Sequence, residues 1–103
     1  MIIDENIVGL FAQSSAGHDK GKIFLILSDE KEFVYIADGK SRTIEKPKRK
    51  NRKHLLLIKN EAKISGEMKA LREKLLRNEP IRNEEVKYAI KKYSKKKYPK
   101  PTL

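Results

Sequence analysis

Ile23-Phe24-Leu25-Ile26-Leu27 is apolar at every position and rich in β-branched and aromatic side chains, so it predicts a strand with no polar side. Side chains of a strand alternate between the two faces of its sheet, and a sheet wall facing water alternates apolar with polar. A chain containing this run must therefore cover the sheet on both faces. The run is far too short to cross a bilayer.

The neighbouring residues supply more strands. Ile7 to Ala12, Lys22 to Ser28, Phe33 to Ala37, Lys40 to Ile44 and Leu55 to Ile58 are short apolar or alternating stretches separated by turn signals. Asp29 to Glu32 forms a polar turn. Asp38-Gly39 favours a type I′ hairpin, which sends Lys40 to Ile44 back along Phe33 to Ala37. Gly9 permits a bend in the first strand. Short strands joined by tight turns predict a small, strongly bent, five-stranded antiparallel barrel of the SH3-like type over residues 1–60.

The period then changes. Ile64, Met68, Leu71 and Leu75 share one helical stripe, with Gly66 weakening its first turn and Asn78-Glu79-Pro80 ending it. Lys69, Glu73 and Arg77 form i,i+4 charge pairs on the outer side. Asn83 is placed to cap a second helix whose first turn holds Glu84 and Glu85 and whose apolar face is Val86, Ala89, Ile90 and Tyr93. These two helices, residues 61–94, are expected to pack on the barrel as part of one α+β domain. Residues 95–103, with Lys95, Lys96, Lys97, Tyr98, Pro99, Lys100 and Pro101, form a basic tail expected to be flexible when alone.

Charge narrows the function. The 103 residues carry 25 Lys and Arg against 14 Asp and Glu, a net charge of +11. Residues 1–39 have a net charge of −4 and residues 40–103 a net charge of +15. A solubilising surface intersperses the two signs, whereas a polycationic half is the footprint of a polyanion-binding protein. The chain has no Cys, and its two histidines are 36 positions apart without a carboxylate cluster. Thiol chemistry and zinc are therefore not implied, and no cofactor or metal is expected. No general acid-base pair suggests itself near the basic surface, and the small core leaves little room for a deep pocket, so the chain is not expected to be an enzyme. Its acidic first residues do not resemble a secretory signal, and the expectation is a soluble, cytoplasmic protein.

Two segments are candidates for contacting the polyanion. In Ser14 to Lys22, SSAGHDKGK, Gly17 and Gly21 let a phosphate backbone approach while Lys20 and Lys22 supply cations. This is not a P-loop, because the glycine spacing is short by one, no Ser or Thr follows Lys22, and a strand rather than a helix comes next. Asp19 is unfavourable beside phosphate, and is expected to cap loop N–H groups or to orient a lysine through a salt bridge. His18 is an exposed loop residue.

The second segment, Lys46 to His54, KPKRKNRKH, has six basic residues in nine and no acid. Its cations are Lys46, Lys48, Arg49, Lys50, Arg52 and Lys53. If all six reach phosphates, the salt slope of binding is about −4 to −5. A solvated loop and a nuclear localisation signal are the alternatives for this run. Arg42 and Arg49 are candidates to stack on bases, as are Tyr93 and Tyr98, with Tyr93 equally suited to the core. Lys40, at the hairpin tip, joins Arg42 in this surface.

Gly9, then Ser14-x-Ala16-Gly17-x-Asp19-Lys20-Gly21-Lys22 before large apolar residues, resembles the KOW motif, a strand-loop-strand unit of SH3-like barrels in ribosomal proteins and transcription elongation factors. The continuation Val34-Tyr35-Ile36-Ala37-Asp38-Gly39-Lys40-x-Arg42 and Lys46 to Leu55 is similar to the fourteen-e and twenty-seven-e families of large-subunit ribosomal proteins. The similarity covers residues 5 to 58. It implies a non-catalytic, ribosome-associated protein that binds large-subunit ribosomal RNA. The alternative is a protein-protein adaptor of the transcription elongation machinery. Adsorption to anionic lipid would need a large apolar face beside the lysines, which only the Val86 to Tyr93 helix offers.

Overall fold

A computed structural model of the chain describes residues 6–59 and 65–97. It contains strands β1 (Phe11–Ser14), β2 (Ile23–Asp29), β3 (Phe33–Ala37), β4 (Lys48–Asn51) and β5 (Leu55–Leu57), followed by helices α1 (Gly66–Leu76) and α2 (Asn83–Lys97). The strands form one antiparallel sheet in the order β4-β3-β2-β1-β5. A single 3₁₀ turn, Arg52–His54, separates β4 from β5.

Both faces of the sheet are buried, as the apolar run in β2 requires. On one face Phe11, Ile23 and Leu25 pack with Met68 and Leu71 of α1 and with Val86, Ala89 and Tyr93 of α2. Tyr93 is only 2% exposed and meets the Phe11 ring edge-on, with centroids 6.2 Å apart. It belongs to the core and has no surface available for stacking on RNA. On the other face Ala12, Phe24, Ile26, Val34 and Ile36 surround Ile7, Leu10 and Leu55. Each large apolar side chain buried this way contributes about 1.5–3 kcal/mol.

The sheet is not closed into a barrel. Strands β4 and β5 are its two edges, and each pairs with only one neighbour. Side chains close the β4 end instead, because Lys48 and Lys50 reach from the strand to the loop between β1 and β2.

The expected strand at Lys40 to Ile44 is absent, and β3 pairs with Lys48–Asn51 within the basic run. A type I′ turn needs positive φ at both central residues, but only Gly39 has it, at +78°. The Asp38 carboxylate instead accepts the N–H groups of Lys40 and Arg42, replacing ladder bonds with local ones. This segment is also drawn to α2, where Asn83 Oδ1 accepts the Ile44 N–H at 2.8 Å and Asn83 Nδ2 donates to Glu45. A Cβ on Gly39 would collide with the Asn83 carbonyl.

Other boundaries differ from expectation for local reasons. Strand β1 begins at Phe11, because Ile7 to Leu10 forms a turn with Gly9 at φ +87°. Ser65 caps α1 by accepting the Met68 N–H, so Gly66 occupies the first helical position and weakens no interior turn. Asn78, at φ +58°, follows the end of α1 before Pro80. Asn83 is the first residue of α2 and spends its side chain on Ile44, while Glu85 accepts the Arg82 N–H there. Helix α2 runs to Lys97 and so includes the start of the expected tail. Ile64, and Tyr98 with the remainder of the tail, lie outside the described residues.

Candidate nucleic-acid interface

The β1–β2 loop is tightly hydrogen-bonded. Gly21 N–H donates to Ser14 O, Lys22 N–H to Asp19 O and Lys20 N–H to Gly17 O. Gly17 and Gly21 have φ of +78° and +89°, values that a side chain strains, and a Cβ on Gly21 would meet no other atom. That space is open to an incoming group. His18, Lys20 and Lys22 are exposed.

Strand β4 faces this loop with alternate residues. Lys48 and Lys50 stand opposite Ile36 and Val34, on the side of the core that β1 and β2 share. Lys48 Nζ forms an ion pair with Asp19 Oδ2, and Lys50 Nζ, on a side chain only 8% exposed as a residue, donates to Ala16 O at 3.0 Å. Ser15 N–H donates to His54 O at 2.8 Å, joining the loop to the 3₁₀ turn as well. The glycine loop and the basic run, 24 or more residues apart in sequence, thus form one contiguous body.

Asp19 has the predicted role of orienting lysines. It is 7% exposed, pairs with Lys48, and lies 3.7 Å from Lys22 Nζ. The Lys48 hydrogen bond holds its carboxyl below the usual carboxylate range; burial opposes that shift, and the charges of Lys48, Lys22 and Lys50 reinforce it.

The other cations are distributed around this body. Arg49 and Lys53 are exposed, and Arg52 lies 3.5 Å from Asp29. Lys46 is exposed at the approach to β4, its N–H bonded to Thr43. Lys40 and Arg42 are exposed on the 38–46 segment that is bonded to the start of α2, so the fold ties them to the helix and not to the glycine loop.

One feature escaped sequence reasoning. Phe33 and Tyr35 share the face of β3 opposite to Val34 and Ile36, and their rings meet edge-on at 5.7 Å. Across the ladder, the Arg49 guanidinium lies 3.9 Å from the Phe33 ring centroid. The alternation Phe33-x-Tyr35 is visible in the sequence, but the Asp38-Gly39 signal predicts Lys40 to Ile44 as its partner strand, which hides Arg49 from it.

Among the described residues, no group of three or more His, Asp or Glu side chains is placed to hold a metal ion, and no helix is long and apolar enough to cross a membrane. Neither known family models nor curated protein sequences give a match to this chain.

Proposed function

We propose that this chain is a non-catalytic RNA-binding protein, a KOW-type module whose open sheet is a variant of the SH3-like fold, associated with the large ribosomal subunit. The observation that carries the reading is the contact of the glycine loop with the basic run through Lys48–Asp19, Lys50–Ala16 and Ser15–His54. Two cationic segments distant in sequence thus form a single surface.

The phosphate ligands on that surface are Lys20 and Lys22 beside Gly17 and Gly21, together with Lys46, Arg49, Arg52 and Lys53. Lys48 and Lys50 are engaged within the fold and position the loop. With four cations of the run left to reach phosphates, its share of the salt slope falls to about −3. Lys40 and Arg42 form a separate, smaller contact near α2. Recognition is mainly of backbone charge and shape.

Sucrose-gradient sedimentation of the endogenous protein, at low salt and after a high-salt wash, tests the ribosomal part of the reading. Comigration with the large subunit that survives the wash supports it. Migration at the top of both gradients contradicts it and favours a polymerase adaptor, to be sought by capture after nuclease treatment.

A further inference from the structure

The end of the sheet away from the glycine loop's lysines has a different chemistry. Phe33 and Tyr35 are half-buried and Arg49 is exposed, with its guanidinium carbon 3.9 Å from the Phe33 ring centroid. Beside this stack is an open cleft of about 430 Å³ lined by Lys31, Glu32, Asn51, Arg52 and Lys53. The two features adjoin, because Phe33 follows Glu32 and pairs with Asn51 across the ladder. A cleft of this size is within the range that accommodates a nucleotide.

The cleft carries both signs of charge, Glu32 standing among Lys31, Arg52 and Lys53. Asp29, Glu30 and Glu32 surround the β2–β3 turn, and Asp29 already pairs with Arg52. Glu32 and Asn51 suit the edge of a neutral aromatic ring, and the lysines of the lining suit the phosphates on either side of it. Asn51 spends its Oδ1 on the Lys53 N–H, which leaves its Nδ2 to donate, and the Glu32 carboxylate accepts. These are the complementary needs of a base edge carrying an amine beside a ring nitrogen or carbonyl. An arginine already held over an aromatic ring has lost much of its rotamer freedom before the ligand arrives.

We infer that Arg49, stacked on Phe33, and the adjoining Glu32–Asn51 cleft form a site for one unpaired RNA base. The inference rests on the RNA-binding reading and adds to it a preference for single-stranded over fully paired RNA. The base lies on the outer plane of the Arg49 guanidinium, Glu32 and Asn51 meet its edge, and Lys31 and Lys53 neutralise the flanking phosphates.

Fluorescence anisotropy of the full chain tests this with two probes, a single-stranded RNA decamer and a blunt RNA duplex, at one ionic strength. Arg49→Lys keeps the charge and the contact with Phe33 but loses the planar surface, so it separates stacking from electrostatics. The expected result is a loss of about tenfold in affinity for the single strand and less than about twofold for the duplex. Glu32→Gln is expected to change the preference among homopolymer single strands without changing duplex binding. Equal effects of Arg49→Lys on both probes, or none on either while the wild type binds RNA, overturn the base site and leave the RNA reading intact. Failure of the folded wild type to bind either probe overturns both.

Discussion

Arg49 and Lys50 are adjacent cations on one four-residue strand, yet the pleat gives them opposite roles. Lys50 is nearly sealed from solvent and donates to a loop carbonyl, while Arg49 lies in the open over an aromatic ring. Lys48 repeats the inward role through Asp19. A run of like charge therefore need not act as one electrostatic unit: where it forms a strand, every second residue can serve the fold and the others the ligand.

Removing the outward cations tests this division most severely. The variant Lys20→Ala, Lys22→Ala, Arg49→Ala, Lys53→Ala is expected to lose on the order of 100-fold or more in affinity for structured RNA near physiological salt. Its thermal midpoint should change little, because exposed substitutions are usually close to neutral. Filter binding and a melting curve on the same preparation check both parts.

Lys50→Ala is the converse. It should cost about 1–2 kcal/mol of stability, since Ala16 O keeps only its bond from Ser14 Oγ, and lower the melting temperature by roughly 4–8 °C per kcal/mol. The salt slope of RNA binding by the remaining folded protein should change by less than about one.

A smaller effect is expected from pH. The folded-state pKa of Asp19 is depressed, so the Asp19–Lys48 contact contributes its full stability above the unfolded carboxyl value, about 3.9, and loses it as pH falls through the lower folded value. Urea midpoints between about pH 5 and 2 should fall more steeply for the wild type than for Asp19→Asn, which has no carboxyl to protonate. Parallel curves would remove Asp19 as the acid-sensitive element of the loop.

The smallest effect belongs to Lys40→Ala with Arg42→Ala. Since the fold ties this segment to α2, the pair is expected to change affinity by no more than about tenfold, below the loss from the four outward cations. A loss equal to theirs would move the centre of the interface toward the helix.

These contrasts also mark what the sequence revealed. The unbroken apolar run Ile23 to Leu27 required cover on both sheet faces, and the stripes through Met68, Leu71, Val86, Ala89 and Tyr93 provide it on one. Periodicity reports such residues well because burial acts on every one of them. Strand Lys48–Asn51 was hidden because its composition, KRKN, reads as a solvated loop; its place is set by the ladder to β3 and by partners for Lys48 and Lys50 that lie about 30 residues away. Asp38-Gly39 misled because Asn83, some 40 residues later, offers the next segment a competing hydrogen bond. The Arg72 side chain, which donates to the carbonyls of Asn6 and Val8, had no sequence signal at all. The glycine loop was legible as a tight polar turn between two strands, whereas the Phe33–Arg49 stack was not, since it depends on which strand lies beside β3.

The most direct test is the salt dependence of binding to one structured RNA, measured in parallel for the wild type, for Lys20→Ala with Lys22→Ala, and for Lys48→Met with Lys50→Met. The account predicts that the loop pair flattens the slope by about 1.5 and that the inward pair, where folded, leaves it within about 0.5 of the wild type. An equal loss of slope in both pairs, or no salt-dependent binding by the wild type, would contradict it.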